Sequence, residues 1–275
     1  KVWMDEFLEI LHKENPKWLT GIVFGPQVRL SLPRLRAAIP KQYPIRHYPD
    51  ITHSRQCEYP VPNWDVAYAL TEGREGINPR PLDQAHIFQA LQKDTIGFLT
   101  YSEGCNDDVN KIVWSALGWE PNTDVEQILK EYSRYFISNR YTEPFAQGLL
   151  GLEQNWRGSL AQNEDVEATL KAFQVMERKA TPQERLNWRF QQGLYRAYYD
   201  AYLHRRLLYE NDLERQALEK LKEATRETKT KGRYDKGQHS FEILGRLNAK
   251  KVLDASSYAK RLIETLKAKV TEADT

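Results

Sequence analysis

Cysteine is nearly missing from this chain: Cys57 and Cys105 are the only two among 275 residues. That excludes a disulfide-stapled scaffold and a zinc site built on cysteine alone. Both fall in loops assigned to one rim, which allows a single bridge as the alternative, but they read as two thiols. An excess of one charge is missing as well, with 40 basic against 38 acidic residues and a net charge of +2. No global field therefore singles out nucleic acid or an anionic membrane as a partner. No apolar run is long enough to span a bilayer. There is no Gly-rich phosphate loop, no G-x-S-x-G elbow and no Cys/His catalytic signature. Internal repeats and low-complexity tracts are absent, and no cofactor is expected. The chain opens at Lys1 with no initiator methionine or secretory signal. The natural N-terminus is thus expected elsewhere, with the remainder of a larger polypeptide as a partner and a periplasmic or secreted location.

Aromatic residues, by contrast, are plentiful, with 15 Tyr and 7 Trp. Several sit in apparent loops, where such rings serve as stacking platforms for sugars as well as core fillers. Taken in order, Phe7, Leu8, Ile10 and Leu11 predict an amphipathic helix that ends near Asn15-Pro16. Residues 18–24 read as a buried strand closed by Gly25-Pro26. A short helix runs from about Ser31 to Pro40, and residues 43–48 read as another strand. Residues 49–81 form a long polar connection whose aromatics argue for an ordered cleft wall. Helix 82–91 and strand 96–100 follow. This alternation of strands and helices predicts parallel strands with crossover helices. After Trp119 the pattern is helical throughout: 125–136, 145–156, 166–179, 182–228, 241–247 and 258–270. Thr181-Pro182-Gln183-Glu184 carries a capping box. The Trp188, Gln191, Gln192, Tyr195, Tyr198, Tyr199, Tyr202 stripe reads as helix packing, and 219–236 as a solvated charged face.

The stretch IGFLTYSEGCNDDVNKIVWSALGW, residues 96–119, is the most informative. A short β-branched and aromatic run leads into Val109, Ile112, Val113, Ala116 and Leu117 at helical spacing, with Gly118 at the expected stop. The polar segment between them is a strand-to-helix turn, the place where α/β proteins build active sites. Glu103 is the carboxylate there, and Asn106 or Asp107 suits the helix cap. Two further strand ends converge on the same rim: Gly25-Pro26-Gln27 and His47-Tyr48-Pro49-Asp50-Ile51-Thr52-His53. Asp50 and His53 form a hydrogen-bonded, sugar-binding or metal-binding pair; no standard ligand spacing accompanies them, and no metal is expected. Arg55, Arg74 and Arg80 in the long connection are candidates for an acidic group, or for structural ion pairs.

Glycoside hydrolysis suits this inventory, because it needs two carboxyl groups across an oxocarbenium-like transition state. Glu103 supplies one. Asp50, Glu58, Glu72 or a residue outside this chain supplies the other. Substrate-binding candidates are Asp50, His53, Arg55, Trp64, Tyr101 and Asn106.

The same stretch resembles the last-strand segment of glycoside hydrolase family 89, the α-N-acetylglucosaminidases. In that family a Glu-Gly pair closes the strand, an acidic or amide residue and a valine follow, and Leu-Gly-Trp ends the helix. Here those are Glu103-Gly104, Asp108-Val109 and Leu117-Gly118-Trp119. The resemblance implies a barrel with a trailing helical domain, and it implies that Glu103 matches the family's catalytic nucleophile. It also implies an acid/base residue on an earlier strand, which is not assigned to this chain. HYPDITHS and ALTEGREGINPRP depart from family 89 and resemble a group of large bacterial proteins related to glycoside hydrolases.

The expected architecture is therefore the C-terminal part of a (β/α)8 TIM-like barrel over residues 1–120, followed by an α-helical domain over 121–275. An open doubly wound sheet is the runner-up. The expected function is glycoside hydrolysis of a carbohydrate substrate. The alternatives are a non-catalytic carbohydrate-binding or scaffold protein, and a metal-dependent hydrolase using Asp50, His53 and Glu103.

Overall fold

The computed structural model describes residues 2–28, 30–52, 58–68, 78–102, 108–230 and 264. Helix α1 (Val2–Glu14) turns Met4, Phe7, Leu8 and Leu11 toward a core, the i, i+3, i+4, i+7 stripe of an amphipathic helix. Asn15 then adopts a positive φ of 45° and Pro16 follows, which ends it. Strand β1 (Ile22–Phe24), helix α2 (Leu32–Ala38) and strand β2 (Ile45–His47) complete this first cluster around Phe24, Leu32, Leu35 and Ile45. Pro33 sits in the first turn of α2, where its missing donor costs nothing.

Strand β3 (Asp50–Thr52), helix α3 (Pro81–Leu91), strand β4 (Tyr101–Ser102) and helix α4 (Asp108–Trp119) come next. β1 pairs in parallel with β2, and β3 in parallel with β4. A bridge between His47 and Phe98 links the two pairs, with His47 N donating to Gly97 O and Leu99 N to His47 O, each at 2.9 Å. Behind the strands, Trp114 of α4 is buried edge-on to Phe88, Phe98 and His47, and its indole donates to Gln84 Oε1 at 2.7 Å. A buried tryptophan with its N–H satisfied is worth about 3–5 kcal/mol against alanine.

The remainder is helical: α5 (Val125–Phe136), α6 (Thr142–Gln154), α7 (Asp165–Lys179), α8 (Pro182–Arg185) and α9 (Trp188–Thr230). The predicted helix over 182–228 is two helices. The Thr181–Glu184 capping box opens the short first one, and Asn187 Oδ1 accepts the Arg189 and Phe190 N–H groups to start the second. Gly148, Gly151 and Gly193 let α6, α7 and α9 pack around Phe145, Phe173 and Phe190. The aromatic stripe of α9 serves this packing; Tyr195 stacks on Tyr199, and the Tyr198 hydroxyl donates to Glu177. Val61, Tyr68 and Val109 belong to the same core. The expected helices over 241–247 and 258–270 lie outside the described residues. None of the described helices is long and apolar enough to cross a membrane.

The barrel expectation is overturned. About two-thirds of the structure is helical, and among the described residues two short parallel strand pairs stand in place of a closed (β/α)8 barrel. The parallel direction was legible in the strand–helix alternation, but closure requires more and longer strands than these. Over 18–24 only Ile22–Phe24 pairs, because Pro16–Leu19 forms a turn that leaves Trp18 exposed. Pro49, which has no N–H to give, separates β2 from β3. The strand predicted over 96–100 bonds in parallel to β2 through a bridge at Phe98, and its continuation at Tyr101–Ser102 forms the ladder with β3. In the long connection 49–81, Asp50–Thr52 forms a strand, and Val61 and Tyr68 enter the helical core.

Gly118 does not stop its helix, since α4 runs through it to Trp119. Its value is space. A Cβ there would lie 2.5 Å from Phe98 Cε1 and 2.8 Å from Cζ. Gly118→Ala gains about 1 kcal/mol of helix propensity but must displace a packed ring. The expected net effect is a loss of about 1–3 kcal/mol in urea unfolding; equal or greater stability would contradict this packing.

Candidate active site at the strand ends

The carboxyl ends of β1, β2 and β4 come together because each strand hands its backbone to the next. Tyr48 N donates to Phe24 O at 2.7 Å, and Tyr101 N to Pro49 O at 2.9 Å. Asp50 and Tyr101 are direct strand partners. Two of the sequence-predicted site residues are thus neighbours across a ladder. Asp50 is buried, and Tyr101 is exposed with its ring edge-on to Tyr48, centroids 6.2 Å apart.

A polar chain runs behind Asp50. Its backbone N–H donates to Glu58 Oε2 at 2.9 Å, and the Tyr59 hydroxyl donates to Glu58 Oε1 at 3.0 Å. His47 Nε2 lies 3.3 Å from that hydroxyl. With the Tyr59 proton committed to Glu58, the imidazole donates from Nε2, giving a directed chain from His47 through Tyr59 to Glu58. Burial pushes the Glu58 carboxyl above its ordinary range. The two hydrogen bonds pull it back and the charge of Asp50 pushes it further up. Burial, and then the adjacent Glu58, raise the Tyr59 phenol and keep it protonated. Burial lowers the His47 pKa to about 4, so the ring is neutral near pH 7.

Arg80 clamps this chain rather than facing a ligand. Its guanidinium donates to Tyr59 O at 2.7 Å and to Asp83 Oδ2, and its backbone N–H donates to Asn110 Oδ1 at 2.8 Å. At the start of α4, Asp108 accepts from Tyr132 at 2.8 Å and from Arg189 Nε at 2.6 Å. Arg189 in turn lies over the Phe136 and Trp188 rings. Helix α4 therefore begins with a charge-assisted anchor.

Trp64 stands apart from these groups. Its ring stacks on Trp156 at 5.5 Å, and Trp156 stacks on Tyr68 at 4.0 Å, within the helical core. Glu103, His53, Arg55 and Asn106 lie outside the described residues, as do Cys57, Cys105, Glu72 and Arg74. Among the described residues no group of three His, Cys, Asp or Glu side chains is placed to hold a metal ion. The sequence reading missed the His47–Tyr59 contact. The alternation in Ile45-Arg46-His47-Tyr48 carries its signal, since it puts His47 on the face of Ile45 and Tyr48 on the face of Arg46.

Comparison with protein-family models, curated proteins and solved structures returned no match.

The neutral, buried His47 has a pH signature. Its folded pKa lies below the ordinary 6.5. The unfolded chain binds the proton first, so stability falls as pH drops from about 6.5 to about 4. The full shift corresponds to roughly 3 kcal/mol. His47→Gln is expected to lack this component when urea unfolding is compared between pH 4 and 8. A variant as acid-sensitive as the wild type over that window would contradict the assignment.

Proposed function

We propose that the protein is a glycoside hydrolase whose reaction centre lies at the carboxyl ends of β3 and β4, with Glu103 as one of its two essential carboxyl groups. The observation that supports this most is the pairing of Asp50 with Tyr101. It sets a buried carboxylate beside an aromatic residue two positions before Glu103. The likeness of Glu103-Gly104 and Leu117-Gly118-Trp119 to family 89 adds the expectation of a nucleophile at Glu103.

In such a reaction a carboxylic acid gives its proton to the glycosidic oxygen as the bond to the anomeric carbon breaks. A second carboxylate attacks that carbon or activates the water that does. The candidates for the second carboxyl group are Asp50 and Glu58 among the described residues, Glu72, and a residue outside this chain. Burial pushes the Glu58 carboxyl upward, the direction a general acid needs. The polar groups of His53, Arg55 and Asn106 are assigned to sugar hydroxyls in this proposal. The identity of the sugar, including an N-acetylhexosamine, follows only from the family resemblance.

Hydrolysis of a panel of aryl glycosides, the α-N-acetylglucosaminide among them, tests this directly. Glu103→Gln is expected to lower turnover by on the order of 10²–10⁴-fold or more with thermal unfolding unchanged. Equal rates would remove Glu103 from the chemistry. Absence of turnover on every glycoside would favour a protein that binds carbohydrate without cleaving it.

A further inference from the structure

The strands present two unlike faces. Phe24, Ile45 and His47 are buried against helices, whereas Val23 is 51% exposed, Leu99 55% and Tyr101 36%. Arg46 is exposed on the same open side, and Tyr48 follows two residues later. The open face is thus aliphatic along its length, charged at Arg46, and aromatic at its carboxyl end. There the Tyr48 and Tyr101 rings meet edge-on, 61° between planes. Gly25, at the end of β1, lies beneath Tyr48; a Cβ at that position would come 3.3 Å from Tyr48 Cδ1. The absence of a side chain at 25 therefore sets how deeply the Tyr48 ring sits.

We infer that Tyr48 and Tyr101, with Gly25 beneath them, form a stacking platform for a pyranose ring. This rests on the carbohydrate reading above and assigns the ligand contact within it. A pyranose is amphipathic: its axial C–H groups make an apolar face, and its hydroxyls project from the rim. The face of a phenol ring covers the first while neighbouring polar side chains meet the second. Asp50 is the ladder partner of Tyr101, and Arg46 is an exposed cation on the open face. A flat protein partner fits less well, because the apolar strip is narrow and interrupted by Arg46, whose charge would have to be desolvated.

The test is saturation-transfer NMR and affinity titration with methyl α- and β-D-glucopyranoside and with N-acetyl-D-glucosamine, on the intact protein. Irradiation of tyrosine ring protons is expected to saturate the sugar's C–H protons. Tyr48→Ala and Tyr101→Ala are each expected to weaken binding about tenfold, the scale of one lost ring contact. Tyr48→Phe and Tyr101→Phe keep the ring and are expected to bind within about twofold of wild type. Gly25→Val is expected to weaken binding by displacing Tyr48, while Tyr135→Ala, an exposed ring on α5, leaves it unchanged.

Binding that ignores both alanine changes would overturn the platform, as would no binding of any of the three sugars. Phe variants that lose as much as the Ala variants would also overturn it. Loss of self-association rather than of sugar in Tyr101→Ala would assign the face to a second copy of the chain. Failure here is separable from failure of the hydrolase reading. Turnover abolished by Glu103→Gln but unaffected by the ring changes keeps the enzyme and removes the platform. Ring-dependent binding without hydrolysis does the reverse.

Discussion

One buried carboxylate holds the strand-bearing part of the molecule in register with its helices. Glu153, near the end of α6, accepts the Leu82 and Asp83 backbone N–H groups at 2.8 and 2.9 Å. These are orphan donors in the first turn of α3, where Pro81 has none to give and Arg80 does not cap with its side chain. A negative charge at a helix N-terminus is favourable, and Arg157 joins Glu153 to Asp83 from the outside. Burial pushes the Glu153 carboxyl upward, and the two N–H bonds and Arg157 pull it back. Each buried N–H left unpaired costs about 1–3 kcal/mol, so the orientation of α3 is strongly specified.

Everything at the strand ends inherits that orientation. α3 carries Gln84 and Phe88, which fix Trp114 of α4 by a hydrogen bond and an edge contact. Trp114 backs Phe98 and His47, the two residues at the bridge between the strand pairs. His47 then reaches Tyr59 and Glu58, and Glu58 holds the Asp50 backbone. Helix α4 also supplies Asn110, which accepts from Arg80 N and donates to Asn78 O. A polar seam runs from Glu153 through Asp83 and Arg80 to Tyr59, Glu58 and Asp50.

Much of this was legible in the residues, and the failures have physical causes. Helix periodicity is a local property, and it located Val125–Phe136 and the Thr181 capping box correctly. The break at Asn187 escaped notice because the apolar pattern continues across it. The parallel sense of the strands follows from crossover helices, which sequence shows; the extent of a sheet depends on non-local pairing, which it does not. That is how a barrel came to be expected where short parallel strand pairs form. Gly118 illustrates the same gap. Its place after an apolar helix suggested a stop, whereas the reason for it is a phenylalanine 20 positions earlier. At the site, Asp50 and Tyr101 were placed on one rim and are ladder partners. Trp64, grouped with them for its aromatic character, stacks on Trp156 instead.

The most direct test of a carbohydrate site at the strand ends is a crystal structure of the Glu103→Gln protein soaked with an uncleaved aryl glycoside. The expected result is the sugar ring lying against Tyr48 and Tyr101, with residue 103 in hydrogen-bond reach of the anomeric centre and Asp50 or Glu58 on the other side of the glycosidic bond. A sugar bound elsewhere on the molecule, or a side chain at 103 directed away from a sugar seated on those rings, would contradict it.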